Sequence, residues 1–297
     1  MSTNKEKALV HLKQGADLLD RGDLDGALKE FDKALALDGV LVDAYLHRCE
    51  AYTFTGENGK AIMDASKALM LDPHNAGAYV DRAAAHVNQG DFQKALEDAN
   101  QAIILDPGSA SAYLNRGAAY RGLGKLRMAL GDYNKAISLE PRQPLAYSHR
   151  ASAFLSIGAY DRAIRDATAA IDLDPHLPQP YIDRGEAYRY RGQYDEAIAD
   201  ATEALDRHSG LVMALVNRAA AYLDKGDGPQ ALADANAALS LDSANVPAYN
   251  NRAIALAKMG RTGEAVGDLN KAYALVDNDA MRDHISMVLR KIRDSAR

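Results

Sequence analysis

Eight histidines and one cysteine are the side chains of this 297-residue chain best suited to metal or nucleophile chemistry. They do not gather. His11, His47, His74, His86, His149, His176, His208 and His284 form no H-E-x-x-H pair, and Cys49 alone cannot build a thiolate zinc site. The run Gly122-Leu-Gly-Lys125 lacks the spacing of a phosphate loop and continues into Leu126 where a hydroxyl is needed. No G-x-S-x-G elbow occurs. The expectation is a chain that is not an enzyme and has neither metal site nor cofactor.

Other charged residues recur strictly. Arg48, Arg82, Arg116, Arg150, Arg184, Arg218 and Arg252 each precede an acid by 16 residues: Asp64, Asp98, Asp132, Asp166, Asp200, Asp234 and Asp268. The first member of the acidic series is Glu30, with Gln14 in the arginine's place. Such a series reads as ion pairs between packed helices rather than as a grip on a ligand. Arg82 is level with both Asp98 and Asp64, so it can meet either or both. Breaking a partly buried pair would cost about 3–5 kcal/mol, and an exposed one about 0–1 kcal/mol.

The ladder shares its 34-residue period with alanines at 27, 61, 95, 129, 163, 197, 231 and 265, and with glycines from 22 to 260. A fixed period of this length marks a stacked-repeat protein rather than one globular core. Within residues 110–143, Tyr113, Gly117 and Tyr120 fall on one helical face; Gly124 suits a left-handed helix end. Ala129, Tyr133 and Ala136 repeat the spacing on a second helix, and Pro141 follows its end. Each unit is therefore helix, turn, helix. Small residues let the helices approach closely.

Numbered within each unit, the small residues at 8, 20 and 27, the aromatics at 4 and 11 and the proline at 32 resemble the tetratricopeptide repeat. Pro73, Pro107, Pro141 and Pro175 fit; Gly39, Ser209, Ser243 and Asp277 do not. The resemblance implies an all-α fold, a right-handed superhelical solenoid whose concave groove is lined mainly by first helices and binds a peptide or protein. Some members of that family hold a chaperone's acidic tail in a two-carboxylate clamp. Asn115, Asn217 and Asn251 match only the middle element of that clamp, and its lysines are missing, so such a tail is not the expected partner.

The expected organisation is a flexible stretch at 1–7, then eight repeats over 8–277 in one solenoid. Their approximate bounds are 8–41, 42–75, 76–109, 110–143, 144–177, 178–211, 212–245 and 246–279. Residues 278–297 form a capping helix with an apolar stripe of Met281, Ile285, Val288, Leu289 and Ile292 and a basic face from Arg282 to Arg297. Net charge is −6, which argues against a nucleic-acid partner. No signal peptide or membrane span is read, and the single cysteine fits a reducing, cytoplasmic setting.

First-helix register positions 2, 5, 6, 9, 12 and 13 are expected to face the groove. Apolar side chains there include Leu12, Leu46, Val80, Leu114, Ile182 and Val216, with Leu19, Val87, Leu155 and Leu223 further along. About half of them are expected to pack against the neighbouring helix. The groove candidates are Leu114, Asn115, Arg121, His149, Leu155, Asp183, Glu186, Arg189 and Tyr190, with Arg121 and Arg189 suited to a partner's carboxylate. The leading reading is an adaptor or scaffold that binds a partner's peptide or helix. The second is self-assembly into a homo-oligomer through the first helix, where Leu9 and Leu12 stand.

Overall fold

A computed structural model describes residues 3–295. Met1, Ser2, Ala296 and Arg297, which belong to the expected N-terminal stretch and C-terminal helix, lie outside the described residues. Backbone contacts gather into two units, Met1–Ala153 and Phe154–Arg297. The first carries α1 (Asn4–Asp20), α2 (Leu24–Leu37), α3 (Val42–Phe54), α4 (Asn58–Leu71), α5 (Ala76–Gln89), α6 (Phe92–Leu105), α7 (Ala110–Gly122), α8 (Leu126–Leu139) and most of α9 (Pro144–Ser156). The second carries α10 (Tyr160–Leu173), α11 (Pro178–Tyr190), α12 (Tyr194–Arg207), α13 (Val212–Lys225), α14 (Gly228–Leu241), α15 (Val246–Lys258), α16 (Thr262–Ala274) and α17 (Asp279–Ser295). No strand occurs among the described residues.

Local chemistry sets each hairpin. At α7 the Ser109 hydroxyl accepts from Ala112 N at 3.2 Å, capping the first free amides. The turn after α7 passes through Gly124 at φ 72°, where an L side chain would be strained. The alanine at repeat position 20 is at most 3% exposed in every unit, so helices pack with almost no side chain between them. The start of the chain differs from expectation. Polarity argues for a flexible stretch to residue 7, but α1 begins at Asn4 because Thr3 and Glu6 form a reciprocal cap.

Within each unit, every odd helix packs on the even helix that follows it, and even helices pack on the next odd one. Odd helices also touch each other, α3 with α5, α5 with α7, α11 with α13 and α13 with α15. No two even helices touch among the described residues. In a curved stack the inner elements crowd and the outer ones splay, so the odd helices line the inner face of each unit. At the end of the second unit, Ile285 and Leu289 of α17 pack into a cluster with Leu256, Leu269 and Val276. Met281, expected in the same stripe, is 47% exposed.

Candidate functional site

The arginine–acid ladder is the frame of both units. Arg116 Nε and Nη2 bond both oxygens of Asp132 at 2.8 and 2.7 Å, while Nη1 reaches back to Asn100 at 2.9 Å. Arg82 makes the same fork to Asp98 and reaches Ser66; Arg184 does so to Asp200 and Thr168, and Arg218 to Asp234 and Thr202. Of the two partners open to Arg82, the structure selects Asp98 in its own hairpin; the spare nitrogen staples the preceding one. The aspartates are buried, and each fork raises its arginine's pKa through the aspartate bond. The guanidinium also lies over a tyrosine, Arg116 over Tyr113 at 5.4 Å and Arg252 over Tyr249 at 5.4 Å. Tyr147 and Tyr249 hydroxyls donate to the Pro141 and Ser243 carbonyls at 3.1 Å. These groups find their main partners within the fold.

Of the ten apolar side chains expected in the groove, four are core and six are half-buried. Leu114, Ile182, Val216 and Leu223 are 5–7% exposed, so Leu114 packs in the core and offers a partner little surface. The reason is the contact between successive odd helices: position 5 is wedged into it. Asn115 is tied up by the same contact, its Nδ2 donating to the Val80 carbonyl at 3.0 Å, as Asn251 donates to Val216 at 2.9 Å. Large apolar groups that remain open on the odd helices of the repeats include Leu9, Phe54, Leu145, Tyr190 and Met213 at positions 2 and 13, between 44% and 66% exposed, and Val10 at position 3.

Arg121 and His149 do come together. Both lie in the first unit beside Tyr133 of α8, whose ring meets His149 at a tilt with centroids 5.9 Å apart. Burial, with help from the Arg121 charge, holds His149 down to about 4, and burial pushes Tyr133 up to about 12. Tyr133 was legible only as a packing residue, because it falls at a recurring register position.

The second unit holds the remaining candidates. Leu155 is half-buried, as is Glu186. Asp183 is buried and accepts from Gln179 Nε2 at 2.7 Å. Arg189 already has a carboxylate, Asp224 at 2.8 Å, and lies over the Tyr190 ring at 4.5 Å. Tyr190 in turn stacks on Tyr160 at 5.0 Å, leaving one half of its ring open. The pair arises because the end of an odd helix meets the start of the preceding even one.

A further acidic group, missed in the sequence, lies on α3 and α5. His47 Nδ1 is 3.8 Å from Glu50, whose carboxylate raises the imidazole's pKa. Burial, then the Glu50 charge, raises Asp81 to about 7. Among the described residues no group of three His, Cys, Asp or Glu side chains could hold a metal ion.

Stacked helical hairpins with a polar, aromatic-studded inner face define a helical repeat protein. Models of the tetratricopeptide repeat match residues 84–153, 54–112, 182–246 and 216–280. The chain belongs to the tetratricopeptide repeat family. Its repeats generally mediate protein–protein interaction, and the family is typically a non-catalytic scaffold. A search of curated proteins finds no match. Among solved structures, the chain is similar to one in the APC/C hetero-tetramer Cut9-Hcn1, with TM-score 0.79 and 17% identity over 91% of this chain. It spans only 52% of that chain's length. It is also similar to a tetratricopeptide repeat protein from Parabacteroides merdae ATCC 43184, at TM-score 0.61 and 19% identity, covering 85% of this chain and 98% of that one. Pseudomonas aeruginosa pilF follows at 0.57 and 18%, covering 71% and 96%. These likenesses concern the fold. No described helix is long and apolar enough to cross a membrane.

Proposed function

We propose that the chain is a non-catalytic adaptor that holds a peptide or helical segment of a partner protein against its odd-helix faces. The observation that supports this reading is the open apolar and aromatic groups on the odd helices of each unit by itself, Phe54 at 66% in the first and Tyr190 and Met213 at 51% in the second. They stand on a frame whose own charges are paired, so burying them costs no ion pair. Exposed aromatic anchors beside arginine are frequent binding hot spots. The thiol of Cys49 is buried and pushed up to about 12 by that burial, which suits an inert packing residue in a reducing cytoplasm.

The test is a peptide array probed with the full chain and with the double variant Phe54→Ala, Tyr190→Ala. Retained peptides should bind the variant at least about tenfold more weakly while helix content is unchanged. Equal binding by both proteins, or no retained peptide, would sink the reading. A second reading, self-assembly through α1, draws on Leu9 and Val10, 45% and 55% exposed. Leu12 packs inward against the Ala27–Phe31 cluster and is no part of that surface. Sedimentation of Leu9→Glu, Val10→Glu against the parent separates the two: a parent that is monomeric at high concentration removes self-assembly.

A further inference from the structure

Position 24 of the repeat follows a size rule in the first unit. Ala65 and Ala99 stand opposite Cys49 and Ala83, whereas Phe31 and Tyr133 stand opposite Gly15 and Gly117. A Cβ on Gly117 would lie 2.6 Å from the Tyr133 ring, and one on Gly15 would strike Phe31. Both rings are 0% exposed, and each meets a histidine of the next odd helix, Phe31 stacked on His47 and Tyr133 tilted against His149. Phe31 shows that the ring alone does the steric work.

The Tyr133 hydroxyl is therefore surplus to packing. It is buried, Arg121 is the side chain placed to donate to it, and its own proton meets no acceptor. Such a group destabilises the fold unless something else meets it. A second change accompanies it. Where the first repeat has Leu19, the fourth has Arg121, exposed and without a carboxylate partner among the described residues. Its charge acts on both Tyr133 and His149. Arginine can only donate, so even an N–H lent to the phenol leaves the phenolic proton without an acceptor. The cluster offers donors, and no acceptor bonds the phenolic proton, the free nitrogen of neutral His149 included.

We propose that Arg121, Tyr133 and His149 form an anchor for a carboxylate carried by the bound segment. The proposal rests on the inner-face binding reading above and names the chemistry of its contact. Arg121 swings outward as the carboxylate enters, then donates to one oxygen while the Tyr133 hydroxyl donates to the other. Neutral His149 walls the site and adds no charge. A hydrogen bond from a buried donor to a carboxylate is stronger than one between neutral groups.

Acetate is the first probe, titrated at neutral pH into the isotope-labelled full chain, with acetamide as the uncharged control. The His149 ring signals should shift saturably with acetate and not with acetamide. Affinity should fall about tenfold in Arg121→Gln and in Tyr133→Phe. Tyr133→Phe should also raise the urea midpoint, which excludes unfolding as the cause of weaker binding. Shifts equal to those with acetamide, or unchanged in Tyr133→Phe, overturn the anchor. A peptide array with Glu/Gln pairs and free or amidated ends then identifies the source of the carboxylate. Peptides that bind without regard to carboxylates overturn the anchor and spare the adaptor reading; a saturable acetate site with no retained peptide does the reverse.

Discussion

The first and fourth repeats solve one packing problem with the same parts and opposite electrostatics. In each, a glycine on the odd helix makes room for an aromatic ring that is 0% exposed. Phe31 lies nearly parallel to His47, at 12° and 5.8 Å; Tyr133 is tilted by 32° to His149 at 5.9 Å. Around Phe31 the neighbours are apolar or acidic: Leu19 packs on its cluster, and Glu50 pulls the His47 pKa up. Around Tyr133 a cation and burial drive His149 the other way. The ladder differs too. Arg116 forks onto Asp132, while the first repeat has Gln14, and Glu30 is held at 2.6 Å by His11 and by Lys33. Sterics fix the ring in both places, and the surrounding charges decide whether the place is inert or able to bind.

Breaking the ladder should expose the largest contrast. Arg116→Ala strands the buried Asp132 carboxylate and should cost about 3–5 kcal/mol. Lys33→Ala removes a side chain that is 56% exposed from Glu30 and should cost about 0–1 kcal/mol. Urea denaturation of the two variants checks this. Similar losses would mean that the fork is no more than a surface pair.

A smaller effect is expected from the glycines. Gly117→Ala drives a methyl into the Tyr133 ring and should cost about 1–3 kcal/mol. Adding Tyr133→Ala recreates the Ala83 and Ala99 pairing of the third repeat, so the double variant should recover part of the loss. Stability of the single and double variants forms a cycle. Additive losses would show that the two positions are not matched in size.

The period made the hairpins and the ladder legible, because small residues and charges recur only where helices meet. Sequence could not decide whether Arg82 turns to Asp98 or Asp64; the answer depends on which helix pair is tighter, and no residue spells that out. Leu114 looked like groove because it sits on the inner stripe of its helix, but contact between successive odd helices buries it. Tyr190 stood out as a residue the packing register does not require, and its stack on Tyr160 joins position 13 of one repeat to position 17 of the one before. Tyr133 hid in plain register. Its hydroxyl and the neighbouring Arg121 separate it from Phe31, and that the phenolic proton meets no acceptor is a fact of three dimensions.

The two histidines should give the smallest and most specific difference. His149 has its folded pKa lowered to about 4, so between that value and 6.5 the unfolded chain binds a proton the folded chain refuses. Its stabilising share is present above 6.5 and drains away as pH falls toward 4. The full displacement is worth about 3 kcal/mol, and water at the half-buried ring reduces this to about 1–2 kcal/mol. His47 is raised instead, so its share is present below 6.5 and is lost as pH rises through its folded value. Asp81 works in the same direction as His47: its folded pKa near 7 makes the ionised carboxylate a growing burden between pH 4 and 7. Urea midpoints measured from pH 4.5 to 8 should therefore lose their acid-side fall in His149→Phe. The same series in His47→Phe should keep that fall. Equal pH profiles for the two variants would mean that Arg121 and burial do not set the fourth repeat apart from the first.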